Sequence, residues 1–224
     1  MSIVTRILSF DLDDTLWPVA PVIEAAEREL YEWLRERHPR AVAEHTIESM
    51  RALRTAVAAR HPDRSHDLSF LRLRALALQL AEAGYEEGEA ERAFEVFYAA
   101  RNRVDCYADV HPALALLAAR GPLYALSNGN ADLGLCGLAR YFSGHLSARS
   151  VGAAKPDPRI FAALAHRAGA HAAQIVHVGD DPYADVEGAR RAGLQAVWIN
   201  RHARPWPADL APPEREIRGL DELC

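Results

Sequence analysis

Residues 3–10 (IVTRILSF) form a short apolar run that reads as a buried strand, and the sequence turns acidic where it ends, at Asp11-Leu12-Asp13-Asp14-Thr15. The periodicity then changes to helical. Ile23, Ala26, Leu30, Trp33 and Leu34 share one face of a first helix that closes at His38-Pro39. A second helix is predicted over residues 43–60, a third carries Leu68, Leu71, Ala75 and Leu78 and ends at Gly84, and a fourth spans 86–103. From Gly121 onward short apolar runs alternate with helical stretches. Strands are predicted at 123–126, 145–148, 175–178 and 195–199, with helices at about 131–140, from Asp157-Pro158 to Gly169, and up to Gly193. The proline-rich tail from Arg201 reads as surface loop with a short helix at its end.

This pattern predicts an α/β fold: a Rossmann-like doubly wound parallel sheet built from residues 1–17 and 106–224, interrupted by a four-helix cap domain over 18–105. Ligands of such sheets bind outside the carboxyl ends of the strands, and the inserted helices enter the chain directly after one such end.

The candidate chemistry lies at those strand ends. At a period of two, Asp11 and Asp13 project to the same side, so two carboxylates converge where the first strand stops. An acidic turn with one capping aspartate accounts for one of them but not for both. Ser127-Asn128-Gly129-Asn130 ends the second strand with a hydroxyl and backbone N–H groups that suit an anion, although an ordinary turn capped by Asn130 fits it as well. Lys155 precedes a helix start, and Asp180, Asp181 and Asp185 follow the strand ending at Gly179. Asp181 before Pro182 reads as a helix cap and Asp185 as a charge favoured by the helix dipole, whereas Asp180 has no such structural role. Acidic groups from the first and last loops suit a hard divalent cation such as Mg²⁺, and Ser127 with Lys155 suits a dianion opposite it. That combination fits phosphoryl transfer.

Composition narrows the picture. With 224 residues and 50% hydrophobic content the chain can bury a sizeable core. A net charge of −5 gives no basic face for nucleic acid. No stretch reaches the length of a membrane span and the first apolar run is too short for a secretory signal, which together predict a cytoplasmic protein. Cys106, Cys136 and Cys224 fit neither a disulfide framework nor a zinc site. Of the 26 basic residues only Lys155 is a lysine, which marks it as a place where a compact point charge is required or as a chance survivor of coding bias.

The motifs DLDDT, SNGN, the lysine of AAKPDP and VGDDPYAD, in that order, resemble the four motifs of the haloacid dehalogenase superfamily. The resemblance implies Asp11 as the nucleophile that forms an aspartyl-phosphate and Asp13 as the acid that protonates the leaving alcohol and then activates water. It implies Mg²⁺ held by Asp11, the carbonyl of Asp13 and Asp180, with Asp181 or Asp185 in support. Ser127, Lys155 and the Asn128 backbone would hold the phosphoryl oxygens. The chain is further similar to bacterial phosphatases acting on flavin mononucleotide and on the phosphorylated ribitylaminouracil precursor of riboflavin. That likeness rests on FDLDDTLWP, SNGNADLG and HVGDD with DVEGARRAGLQAVWI. It implies a small phosphorylated metabolite as substrate, for a monomer or homodimer.

Within the superfamily, a dehalogenase needs no second acid, so Asp13 argues against one. A phosphonate hydrolase needs a cap lysine that this chain lacks. A sugar phosphomutase shares all four motifs and stays open, as does a non-catalytic binder of phosphorylated ligands, against which Asp13 speaks. A helical interaction protein ranks last, because each cap helix offers one apolar stripe that its neighbours can cover. As readers of the substrate, Trp17 is a candidate for stacking and Arg72 and Arg74 for polar contacts, each set against the simpler role of hinge plug or solvated helix face. His177 reads as a core histidine.

Overall fold

The computed structural model describes residues 7–86 and 88–224. Residues 3–6 of the expected first strand and position 87 of the expected fourth helix lie outside these. The chain divides into two compact units, Val19–Val104 with Asn130–Cys136, and the remainder up to Pro18, Asp105–Gly129 and Gly137–Cys224.

The first unit is helical. It holds α1 (Val19–Arg37), the single turn α2 (Pro39–Val42), α3 (Ile47–Arg60), α4 (Leu68–Glu82) and α5 (Glu89–Arg101). Thr46 accepts from the Ser49 N–H and Asp67 from the Phe70 N–H, so each of these side chains satisfies a donor at the start of its helix. Ala26, Leu30, Leu34, Leu76, Leu80, Ala93 and Phe97 interlock as its core. Glu27 lies on the same buried side of α1 and accepts from Arg51, Arg54 and Arg72.

The second unit is built on β1 (Ile7–Phe10), β2 (Leu123–Ser127), β3 (Gly144–Ser147), β4 (Ile175–Gly179), β5 (Gln195–Ile199) and β6 (Glu216–Ile217). All pairings are parallel, in the order β3-β2-β1-β4-β5-β6. β2 and β4 are buried at every position, as central parallel strands must be. Helices α6 (Val110–Ala118), α7 (Ala148–Val151), α8 (Pro158–Ala168) and α9 (Gly188–Arg191) complete it. The strand order reverses direction at β1, between β2 and β4, and such switch points open a crevice at the carboxyl ends of the strands.

Three local expectations are corrected. The helix expected at 131–140 is absent: Asp132 Oδ1 accepts from the N–H groups of Gly134 and Leu135, replacing the helical ladder, and Gly137 turns at φ +73°. The helix after β4 is split into a π-helical turn, Pro182–Glu187, and α9. The Asp181 carbonyl accepts from both Asp185 and Val186, which widens that turn. Part of the tail pairs with the sheet as β6, because Trp198 and Asn200 donate to the carbonyls of Arg215 and Ile217.

Candidate active site

β1 pairs with β4 one step beyond its last residue, through the Asp11 N–H to the Val178 carbonyl at 2.9 Å, which fixes Asp11 at the strand end. The residue is 7% exposed. The Lys155 ammonium donates to Asp11 Oδ1 at 2.5 Å, to Asp185 Oδ1 at 2.6 Å and to the Leu126 carbonyl at 2.9 Å. These three bonds use all three ammonium protons. Asn128 sets the lysine in place: its side chain donates to the Lys155 carbonyl and accepts from the Lys155 N–H. Ser127, 1% exposed, accepts from the Gly129 N–H at the end of β2.

Asp185 accepts on both oxygens, Oδ1 from Lys155 and His177 and Oδ2 from the Asp181 N–H at 3.0 Å. It lies against Gly179, where a Cβ would come within 2.2 Å of its Cγ, so only glycine leaves room. His177 is fully buried and sits opposite Ser9 in the β1–β4 register. Its Nδ1 is 2.6 Å from Ser9 Oγ and its Nε2 3.1 Å from Asp185 Oδ1. Burial lowers the imidazole below its ordinary value, so the ring is neutral at pH 7. An ionised carboxylate only accepts, so Nε2 carries the proton and Nδ1 accepts from the Ser9 hydroxyl. His177 reads in the sequence as a core histidine, and Ser9 lies inside the predicted first strand without a role of its own. The signal that placed them here was one polar residue in each of two adjacent apolar strands, just before the acidic motif in each.

The charges do not balance. Burial raises Asp11 well above the carboxylate range; Lys155 opposes this, while Asp185 and Asp180 add to it. Burial works against the Lys155 charge, but Asp11 and Asp185 hold it above the ordinary lysine value. Burial also opposes ionisation of Asp185, yet Lys155 and His177 keep it far below the usual range. Asp180 is pushed up to about 6 by burial and by Asp185, with Arg204 pulling the other way. One buried ammonium and the half-exposed Arg204 guanidinium therefore face three carboxylates. Asp11, Asp180 and Asp185 each place an oxygen within 4.8 Å of the others. This all-oxygen, negatively charged set fits a hard divalent cation.

The remaining candidates divide. Asp13 accepts from the Trp17 indole N–H at 2.9 Å. Trp17 is fully buried, as the plug reading expects, with its ring enclosed and its polar edge on Asp13. Asp14, at φ 58°, occupies the left-handed region that aspartate tolerates better than most residues. Asp181 is not brought to the acidic cluster by its carboxylate, which caps the following turn through the N–H groups of Tyr183 and Ala184. In the helical unit, Arg72 lies 3.5 Å above the Phe97 ring and pairs with Glu27, which ties it into the interior of that unit and not to a solvated helix face. Arg74 is exposed on α4.

A buried carboxylate at the end of β1, a hydroxyl at the end of β2, and a lysine and acidic cluster across the switch point form one charged site on a doubly wound sheet. The haloacid dehalogenase-like hydrolase family profile matches residues 5–193. The chain belongs to that family. It is 37% identical to the 5-amino-6-(5-phospho-D-ribitylamino)uracil phosphatase YigB of Escherichia coli (strain K12), over 96% of this chain and 93% of that protein. It is also 37% identical to a phosphoserine phosphatase of Thermus thermophilus, over 64% of this chain and 60% of that protein. A solved structure described as 2-haloacid dehalogenase from Pseudomonas syringae pv. Tomato DC3000 superposes with a TM-score of 0.91 at 40% identity, covering 97% of this chain and 96% of that one. Among the described residues no helix is long and apolar enough to cross a membrane.

Proposed function

We propose that the protein is a divalent-cation-dependent phosphatase of a small phosphorylated metabolite. The observation that carries this reading is the convergence of Asp11 and Lys155 at one switch point, with the Ser127 hydroxyl at the neighbouring strand end and Asp13 held ready in the loop that follows. In the proposed reaction an Asp11 oxygen attacks phosphorus and the bond to the leaving oxygen breaks, with Asp13 giving that oxygen its proton. Water then attacks the aspartyl-phosphate, Asp13 takes the proton back, and phosphate and free Asp11 result. Ser127 and the Asn128 backbone hold phosphoryl oxygens. Lys155 joins them by turning one of its three donors from a carboxylate to the substrate.

Asp11, the Asp13 carbonyl and Asp180 would hold the Mg²⁺, with Asp185 in support through Lys155 and the acidic cluster. Bound there, the ion supplies charge neutralisation that lets an anionic nucleophile meet an anionic ester. The helical unit, whose main segment follows the Asp11 loop in the chain, is the part we assign to substrate selection.

Similarity to the ribitylaminouracil phosphatase over nearly the full length supports a riboflavin-precursor phosphate or flavin mononucleotide as substrate. Similarity to a dehalogenase supports a second reading, in which Asp11 displaces halide from a 2-haloacid. The two are separated by measuring phosphate release from p-nitrophenyl phosphate, flavin mononucleotide and the ribitylaminouracil phosphate beside halide release from 2-chloropropionate. The phosphatase reading expects phosphate release that Asp11→Asn abolishes and that EDTA removes and Mg²⁺ restores. Halide release without phosphate release would replace it.

A further inference from the structure

Asp180 is held by a part of the chain that carries no recognisable motif. Its carbonyl accepts from the Trp198 indole N–H at 2.9 Å and from Arg204 Nη2 at 3.1 Å. The same Nη2 donates to Asp180 Oδ2 at 2.9 Å. Arg204 is half exposed at its side chain, but its backbone is fixed. Asn200, 1% exposed, accepts from the Arg204 N–H and donates to the Arg204 carbonyl, both at 2.8 Å, and its amide is anchored in turn by Glu216 Oε1 at 2.7 Å. Glu216 belongs to β6, so the loop from β5 is pinned to the last strand. The result is that Asp180 Oδ2 carries a charged donor on the side of Arg204, and among the described residues Oδ1 has no protein donor.

We propose that Arg204 is a positioning residue that sets which divalent cation the site accepts, by keeping Oδ2 occupied so that Asp180 offers a cation a single oxygen. The proposal rests on the cation-dependent reading above. Mg²⁺ takes six ligands at short distance and usually keeps several waters, and one carboxylate oxygen suits it. Ca²⁺ takes six to eight oxygens and often uses both oxygens of a carboxylate. An arginine on Oδ2 therefore costs Ca²⁺ a ligand and costs Mg²⁺ none. Two effects accompany removal of Arg204: loss of a nearby positive charge, which strengthens binding of either ion, and release of Oδ2, which favours Ca²⁺ alone. Because both ions carry the same charge, the first effect cancels in the ratio of their affinities.

The test is isothermal titration calorimetry of Mg²⁺ and of Ca²⁺, separately, into metal-stripped wild type, Arg204→Ala and Arg204→Lys. Arg204→Ala should shift the affinity ratio toward Ca²⁺ by about 10-fold or more, the scale on which groups that orient a metal's ligands act. Arg204→Lys keeps one charged donor for Oδ2 and should stay within about 3-fold of the wild-type ratio. A ratio in Arg204→Ala equal to that of wild type would overturn the proposal while leaving the cation site intact. An equally large shift in both variants would overturn it too, since a donor to Oδ2 would then not be what discriminates. Wild-type protein that binds neither ion would remove the cation-dependent reading itself, and this proposal with it.

Discussion

The Lys155 ammonium lies 2.5 Å from Asp11 Oδ1 and 2.6 Å from Asp185 Oδ1, so one cation holds apart two carboxylates that would otherwise face each other inside the protein. Its side chain is 2% exposed. Removing it leaves buried charge without a partner, which costs about 3–5 kcal/mol for a pair of this kind. Lys155→Ala should therefore lower stability in urea denaturation as well as lowering kcat by about 10²- to 10³-fold, the usual effect of losing a donor to developing phosphoryl charge. Lys155→Arg should not restore activity, because a planar fork does not reproduce three donors converging on Asp11, Asp185 and the Leu126 carbonyl. A variant that kept wild-type turnover would show that the lysine is only a structural counter-ion.

Trp17 provides a second check, on Asp13. If its indole N–H orients the acid, Trp17→Phe, which keeps an aromatic ring in the site but removes the donor, should lower kcat by roughly 10-fold, the loss expected when one hydrogen bond of about 1.4 kcal/mol is removed from the transition state. KM should stay near its wild-type value. A selective rise in KM for ring-bearing substrates, with kcat unchanged, would return Trp17 to the stacking role that its burial argues against.

Much of this arrangement was legible before any coordinates. The apolar runs at 123–126, 175–178 and 195–199 mark strands because central parallel strands are buried on both faces. The acidic and serine-containing motifs stand out because each follows such a run. What stayed hidden depends on pairings distant in the chain. Arg204 sits in the proline-rich tail and Asn200 just ahead of it, neither within a motif, and only the sheet order brings them to Asp180. Ser9 and His177 are 168 residues apart, and their bond exists because β1 and β4 are neighbours. The helix expected at 131–140 failed for the opposite, local reason: the Asp132 side chain takes the N–H groups of Gly134 and Leu135 in place of helical hydrogen bonds. For Trp17 and Arg72 the sequence left stacking or polar contact open beside a plug or a solvated face, because a single sequence does not reveal what encloses a large side chain.

The helical unit has its own pH dependence, set by Glu27. Burial raises the Glu27 carboxyl, but hydrogen bonds from Arg54 and Arg51 and the charge of Arg72 outweigh this and leave it below its usual value of 4.5. A carboxyl lowered by folding contributes stability that is fully present above its unfolded value and is lost as pH falls through the folded one. The unit should thus hold its stability from neutral pH down to about 4.5 and lose this contribution below it. Glu27→Gln removes the charge but keeps the shape, leaving Arg72 at 12% side-chain exposure without its carboxylate. At pH 7 the variant should be less stable by about 1–3 kcal/mol, the cost of an unsatisfied buried polar group. Below about pH 4.5 the gap should narrow, because the unfolded wild-type chain takes up a proton there that the folded carboxyl resists. Urea denaturation of both proteins at pH 7 and pH 3.5 measures this directly. An equal gap at the two pH values would mean that Glu27 acts through packing and not through its charge.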